Sequence, residues 1–183
     1  MRPVLALDID GVLNSHAWWD RRAPRVPHAD HDNRDEFDPQ AIALLDHILS
    51  VTDADVVVSS VWRKGRTVEQ LRELLASVGL TRADQVVGTT PEVWFHYGLV
   101  DKFGDDRGVE IAMWLNKHRP EGCVFAIVDD DGDMWELKHR WVHTPHAVGL
   151  TKVTADKLIC LLSETEPTLA PFVSADWEDR CRT

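Results

Sequence analysis

Cysteine is scarce in this chain. Three thiols, Cys123, Cys160 and Cys181, are scattered through 183 residues. An odd, widely spaced set excludes a disulfide framework and a cysteine-based zinc knuckle. The expectation is that Cys123 and Cys160 are core residues and Cys181 an exposed thiol. Long apolar runs are missing too, and no stretch approaches the roughly 20 residues a membrane-spanning helix needs. The first residues run from Met1 straight into an apolar segment that ends in acids. A charged n-region followed by a long apolar h-region is not seen there, so no secretory leader is read and a cytoplasmic location is expected. Positive charge is in deficit: 20 Lys and Arg stand against 31 Asp and Glu, for a formal net charge of −11. Such a surface repels nucleic acid at long range, though it leaves room for a local basic groove. Repeats and low-complexity segments are absent.

What is present is an alternation of strand and helix patterns, which indicates an α/β fold with a largely parallel sheet. Val4 to Ile9 reads as a strand buried on both faces. Asp38 is a good N-cap, Pro39 suits the first helical position, and Ile42, Leu45 and Leu49 share one face. Val56–Val58 is a second strand, running into Ser59 and Ser60. Thr67 and Gln70 form a capping-box pattern at the head of a helix striped with Val68, Leu71, Leu74, Leu75 and Val78, and Gly79 stops it. A third strand is short, Gln85 to Gly88. A helix from about Arg107 to Lys117 buries Ile111, Trp114 and Leu115. A fourth strand, Val124 to Val128, runs into Asp129, Asp130 and Asp131. A fifth is expected at Trp141–His143, before a last helix capped by Thr154. One domain over residues 1–162 follows, with 163–183 a tail and 14–37 an excursion rich in His, Arg, Asp, Pro and Trp. Long irregular segments in compact domains are often functional.

Two of these strands end in carboxylates: Asp8 and Asp10 after the first, Asp129 and Asp130 after the fourth. Another ends in Ser59. Ligands of open parallel sheets bind just beyond the carboxyl ends of the strands, so these five residues are expected on one rim. Clustered carboxylates repel one another unless a cation binds, and hard oxygen ligands with open positions suit Mg²⁺. The cation removes the repulsion between a phosphate monoester and an aspartate. The carboxylate then serves as a covalent nucleophile. Asp10, two residues on, is expected on the same side of an extended strand end, where it would protonate the leaving oxygen and later activate water.

These residues resemble the motifs of the haloacid dehalogenase (HAD) superfamily. Asp8-Ile9-Asp10-Gly11-Val12-Leu13 is similar to its first motif, Val56-Val57-Val58-Ser59 to its second and Ile127-Val128-Asp129-Asp130 to its fourth. The third motif is a Lys or Arg at or near the start of the helix before the fourth, for which Arg107 fits best and Lys102 is the alternative. The resemblance implies a Rossmann-like three-layer α/β/α sandwich with a minimal cap or none. It also implies an Mg²⁺-dependent phosphatase. Asp8 would be nucleophile and metal ligand, and Asp10 general acid/base with its backbone carbonyl on the metal. Ser59, or Ser60 in its place, would hydrogen-bond the phosphoryl group. Arg107 would neutralise its charge, and Asp129 and Asp130 would complete the metal site directly or through water. Ser59-Ser60-Val61-Trp62-Arg63, Glu110-Ile111 with Trp114-Leu115, and Gly149-Leu150-Thr151 further resemble a small HAD group associated with bacterial RNA-repair proteins, which implies a phosphorylated RNA or DNA end, a 3′ end in particular, as substrate.

The 14–37 excursion mixes His16, Trp18, Trp19, Arg21, Arg22, Arg25, His28 and His31, a composition suited to stacking on bases and contacting phosphates. A solvated flap with its tryptophans packed on the domain is the plain alternative. Ser60, Trp62, Arg63 and Lys102 are expected at the substrate phosphate, with a salt bridge to the acidic surface as the alternative for Trp62-Arg63-Lys64. Asp129, Asp131 and Asp133 do not make a calcium loop, because Met134 and Arg140 occupy positions that require Gly and Glu. His139, His143 and His146 lack a nearby cysteine, and zinc is rejected. Three other functions are to be weighed: a small-molecule or 5′-nucleotide phosphatase, a phosphoacceptor of the response-regulator kind, and an inactive binding module. The phosphoacceptor would need an Asp after the third strand, where Gly88-Thr89 stand.

Overall fold

A computed structural model describes residues 1–21, 33–92 and 106–170. Five strands form one sheet: β1 (Val4–Leu7), β2 (Asp55–Val58), β3 (Val86–Thr89), β4 (Phe125–Asp129) and β5 (Trp141–His143). All neighbours are parallel, in the order β3-β2-β1-β4-β5. The helices are α1 (His16–Arg21), α2 (Pro39–Thr52), α3 (Val68–Ser77), α4 (Asp106–His118) and α5 (Lys152–Leu162).

β1 is short, uninterrupted and buried on both faces, as its apolar run requires. The pleat sends Leu5 and Leu7 into one core with α2, α3 and α5, and Val4 and Ala6 into a second core with α4, Met134 and Leu137. The result is the three-layer α/β/α sandwich. The chain moves outward from β1 to β2 to β3, then crosses back to β4. The order therefore reverses between β1 and β4, where α/β sheets open a crevice.

The helix starts follow local chemistry. The Asp38 carboxylate accepts from the Gln40 N–H at 2.8 Å, with Pro39 next. Thr67 and Gln70 form the reciprocal capping box. The last helix begins one turn earlier than expected. Thr151 is its N-cap, and Thr154 is the third-position partner that bonds back to the Thr151 N–H. Trp114 is a core residue, but only one of the two cysteines expected there is: Cys123 is buried and Cys160 is exposed on α5. Residues 163–170 are tied to the domain by an isolated antiparallel bridge, Cys123 with Thr168. Of the 14–37 excursion, α1 and a 3-10 turn at Asn33–Glu36 are described. Arg22, Arg25, His28, His31, Lys102 and Cys181 lie outside the described residues.

Candidate active site

The sheet brings Asp8, Ser59 and Asp129 together by register alone. The Asp8 N–H donates to the Val128 carbonyl at 3.0 Å, and the Ser59 N–H to the Leu7 carbonyl at 2.8 Å. Both residues extend their strands by one position into the crevice. All three are buried.

Asp10 reaches the site by another route than the one expected. The strand does not continue to Ile9. The Val12 and Leu13 N–H groups donate back to the Ile9 carbonyl, so the chain turns at once. Gly11 sits in the left-handed region at φ +67, and a Cβ there would stand 2.2 Å from Asp130 Oδ2 and 2.7 Å from His146 Nδ1. Both the backbone conformation and the close approach therefore call for glycine. Asn14, fully buried, locks the turn: its Oδ1 accepts from the Gly11 N–H and its Nδ2 donates to Asp10 Oδ1, both at 2.9 Å. The Trp62 indole donates to both Asp10 oxygens, at 3.0 and 3.1 Å.

Arg107 enters from the start of α4. Its Nη1 donates to Asp8 Oδ1 at 3.0 Å and to the Ser59 carbonyl, and lies 3.3 Å from Asp129 Oδ2. Gly108 makes this possible. Its N–H donates to the Asp133 carbonyl, and a Cβ would overlap the Met134 backbone at 2.2 Å, so only glycine lets α4 approach the β4 exit this closely. A glycine inside a helix otherwise costs stability, and that mismatch was the available sign of its role.

The remaining expected residues separate into two groups. Ser60 and Trp62 are at the site. The Ser60 side chain hydrogen-bonds Asp8, and Trp62 packs edge-on to Phe37 beneath Arg66. Arg63, expected at the substrate phosphate, is instead buried in the floor. Its guanidinium pairs with Glu110 at 2.7 Å and donates to the carbonyls of Ser60, Thr90 and Pro91 at 2.8, 3.1 and 3.3 Å. His146, which the sequence offers only as a zinc ligand, also lies at the site. Its Nδ1 lies 2.5 Å from Asp130 Oδ2.

One carboxylate oxygen from each of Asp8, Asp129 and Asp130 lies within 4.8 Å of the other two. Burial pushes the Asp8 carboxyl up to about 6, against the opposing pull of Arg107 and the Ser60 hydrogen bond. Burial likewise pushes Asp129 up to about 8, again opposed by Arg107 and reinforced by Asp8. Burial alone would lower the Arg107 pKa, but Asp129 and Asp8 together hold it above the ordinary arginine value. One guanidinium thus serves two of the three acids, Asp8 and Asp129, while Asp130 faces His146. Asp129 Oδ2 is buried with no hydrogen-bond partner among the described residues, and so is Ser59 Oγ. Hard oxygens, excess negative charge and a buried carboxylate oxygen that faces Arg107 without a hydrogen bond suit a magnesium ion. The Asp10 carboxylate, occupied by Trp62 and Asn14, is not one of the three.

Comparison with known proteins agrees with this geometry. No curated protein and no solved structure matches the chain. The family described as "HAD domain in Swiss Army Knife RNA repair proteins" matches residues 4–155, which include all the site residues above. The chain therefore belongs to that family and carries a HAD-superfamily domain.

Proposed function

We propose that the protein is a magnesium-dependent phosphatase that hydrolyses a phosphate monoester through an aspartyl-phosphate on Asp8, and that its substrate is a phosphorylated RNA end. The observation that carries this reading is the meeting of Asp8, Asp129 and Asp130, the first two of them on Arg107, with Asp10 held by two donors beside them.

Asp8, Asp129 and Asp130 would hold Mg²⁺. When bound, the ion neutralises charge on substrate and carboxylates and acts as a Lewis acid. The chain's own residues do the rest. Arg107 and Ser60 hold Asp8 as a carboxylate, aimed out of the strand end. Its oxygen bonds to phosphorus while the bond from phosphorus to the leaving oxygen breaks. Asp10 gives its proton to that oxygen, and the indole of Trp62 and the amide of Asn14 keep the carboxyl in place. Asp10 then takes a proton from water as the water oxygen attacks phosphorus. The bond to Asp8 breaks, releasing inorganic phosphate and restoring the Asp8 carboxylate. Ser59 Oγ, buried and without a hydrogen bond among the described residues, would donate to a phosphoryl oxygen, and Arg107 would stabilise the charge that stays on the group through transfer.

The RNA end rests on the family's description; the described part of the 14–37 excursion is a six-residue helix and a 3-10 turn. Phosphate release is to be measured with Mg²⁺ or EDTA. The substrates are an aryl phosphate, 3′- and 5′-mononucleotides, and RNA and DNA oligonucleotides phosphorylated at either end. The reading expects Mg²⁺-dependent release, strongest from a 3′-phosphorylated RNA. Strongest release from a mononucleotide would remove the RNA assignment and keep the chemistry, and no release from any substrate would overturn both.

A further inference from the structure

The rim beside Asp130 carries three rings that the phosphoryl chemistry does not use. His16 and Trp19 come from α1, and His146 from the loop between β5 and α5. The His16 and His146 rings meet edge-on with centroids 4.5 Å apart, and Trp19 stands 5.7 Å from His16 and 6.4 Å from His146. The backbone holds them in this arrangement. The His16 and Ala17 N–H groups donate to the carbonyls of His146 and Ala147, and the Leu150 N–H donates to that of Val12. Gly149, at φ +77, permits the contact, since a Cβ there would stand 3.0 Å from the Val12 carbonyl oxygen and 3.2 Å from Ser15 Cβ.

Rings gathered for packing alone would be covered. Here His16 is exposed, the His146 side chain is 43% exposed and Trp19 is half-buried. The cluster also starts one hydrogen bond from the carboxylates, through His146 Nδ1 and Asp130 Oδ2. His146, itself one of the rings, thus joins the cluster directly to the acids. A phosphorylated nucleotide has a matching layout, with a sugar between its phosphate and its flat base. With a net charge of −11, the protein has little broad positive surface to hold a polynucleotide, and stacking supplies affinity that does not depend on charge.

Building on the phosphatase reading, we infer that His16, Trp19 and His146 form a stacking platform for the nucleobase attached to the phosphate-bearing sugar. The platform favours nucleotide ends over base-free phosphates and tolerates any base, because every base presents a π face.

The test compares adenosine 3′-phosphate with its abasic ribose 3′-phosphate counterpart in wild type, His16→Ala, Trp19→Ala and His16→Phe, with thermal melts to confirm folding. The readout is the ratio of kcat/KM for the two substrates. It falls roughly 5- to 150-fold in the alanine variants, the range for losing one stacked base, and is largely kept in His16→Phe, which retains a π face. The same ratio is read as Kd by calorimetry in the Asp8→Asn background, with and without the ring variants. An equal ratio in wild type and the alanine variants overturns the platform and leaves the phosphatase reading in place. No phosphate release from either substrate, with a base-dependent Kd that the alanine variants abolish, overturns the phosphatase reading and leaves the platform.

Discussion

Breaking the Arg63–Glu110 pair tests whether the floor of the site depends on a buried ion pair. Both side chains are under a tenth exposed, 5% and 9%, and Nη2 lies 2.7 Å from Oε2. Arg63 also donates to three carbonyls, those of Ser60, Thr90 and Pro91. Arg63→Met removes the charge and all of these donors from beside the buried Glu110 carboxylate. Removing one partner of a buried pair costs about 3–5 kcal/mol. For a domain of this size each kcal/mol lowers Tm by about 2–4 °C, so a fall of roughly 6–20 °C is expected. Arg63→Lys keeps a charge for Glu110 but loses the planar fork, and should fall in between. Arg63→Met with Glu110→Leu should recover much of the loss, because apolar replacement of a whole buried pair is often nearly neutral. Urea denaturation followed by circular dichroism gives these values. A loss below about 1 kcal/mol in Arg63→Met, or a double variant as poor as the sum of the singles, would refute the assignment of a coupled buried pair. Because Arg63 also fixes the Ser60 carbonyl, and the Ser60 side chain bonds Asp8, surviving folded protein should show reduced activity as well.

Two further outcomes follow from the site. Trp62→Phe keeps the ring against Phe37 but removes the donor to both Asp10 oxygens; kcat should fall by roughly 10- to 100-fold, the equivalent of a lost hydrogen bond to a charged group, with little change in Tm. Burial raises Asp8 to about 6 and Asp129 to about 8, above the ordinary value of 3.8. The metal-free folded state therefore binds more protons than the unfolded chain between those limits. The stability this site contributes is full below about pH 4 and is lost as pH rises through 6 to 8. Mg²⁺ needs the deprotonated carboxylates, so its affinity should rise over the same window, with protons released on binding. Calorimetry in buffers of different ionisation enthalpy measures that release, and Mg²⁺ should raise Tm more at pH 8 than at pH 5. A shift that is equal at both pH values would contradict the cluster as its site.

The sequence showed most clearly those features that depend on short-range pattern. An apolar run ending in a polar residue is a strand entering a crevice, and in a parallel sheet such ends share one edge. Asp8, Ser59 and Asp129 were legible for that reason. The path of the chain from Asp8 to Asp10 was not, because the turn at Ile9 is made by backbone donors of Val12 and Leu13 that carry no side-chain signature. Its position just after Ser59 puts Arg63 at the phosphate, yet its partner Glu110 lies 47 positions away on α4. The histidine spacing suggests only zinc for His146, and its contact with Asp130 depends on Gly11 and Gly149, which let two loops touch. Thr151 and Thr154 both suit an N-cap, and spacing alone does not say which residue starts the helix. Cys160 neighbours Ile159 and Leu161 in an apolar stretch, but α5 turns it outward while Ala155, Leu158 and Leu162 face the core.

The most direct test of the account is to look for the phosphoryl group on Asp8. The protein would be mixed with Mg²⁺ and a phosphorylated RNA substrate, quenched within the first turnover, reduced with borohydride and digested for mass spectrometry. The account predicts reduction of an acyl phosphate at position 8, seen in wild type and absent in Asp8→Asn and in EDTA. Phosphate release at a wild-type rate from Asp8→Asn, or a phosphoryl group trapped on any other residue, would contradict it.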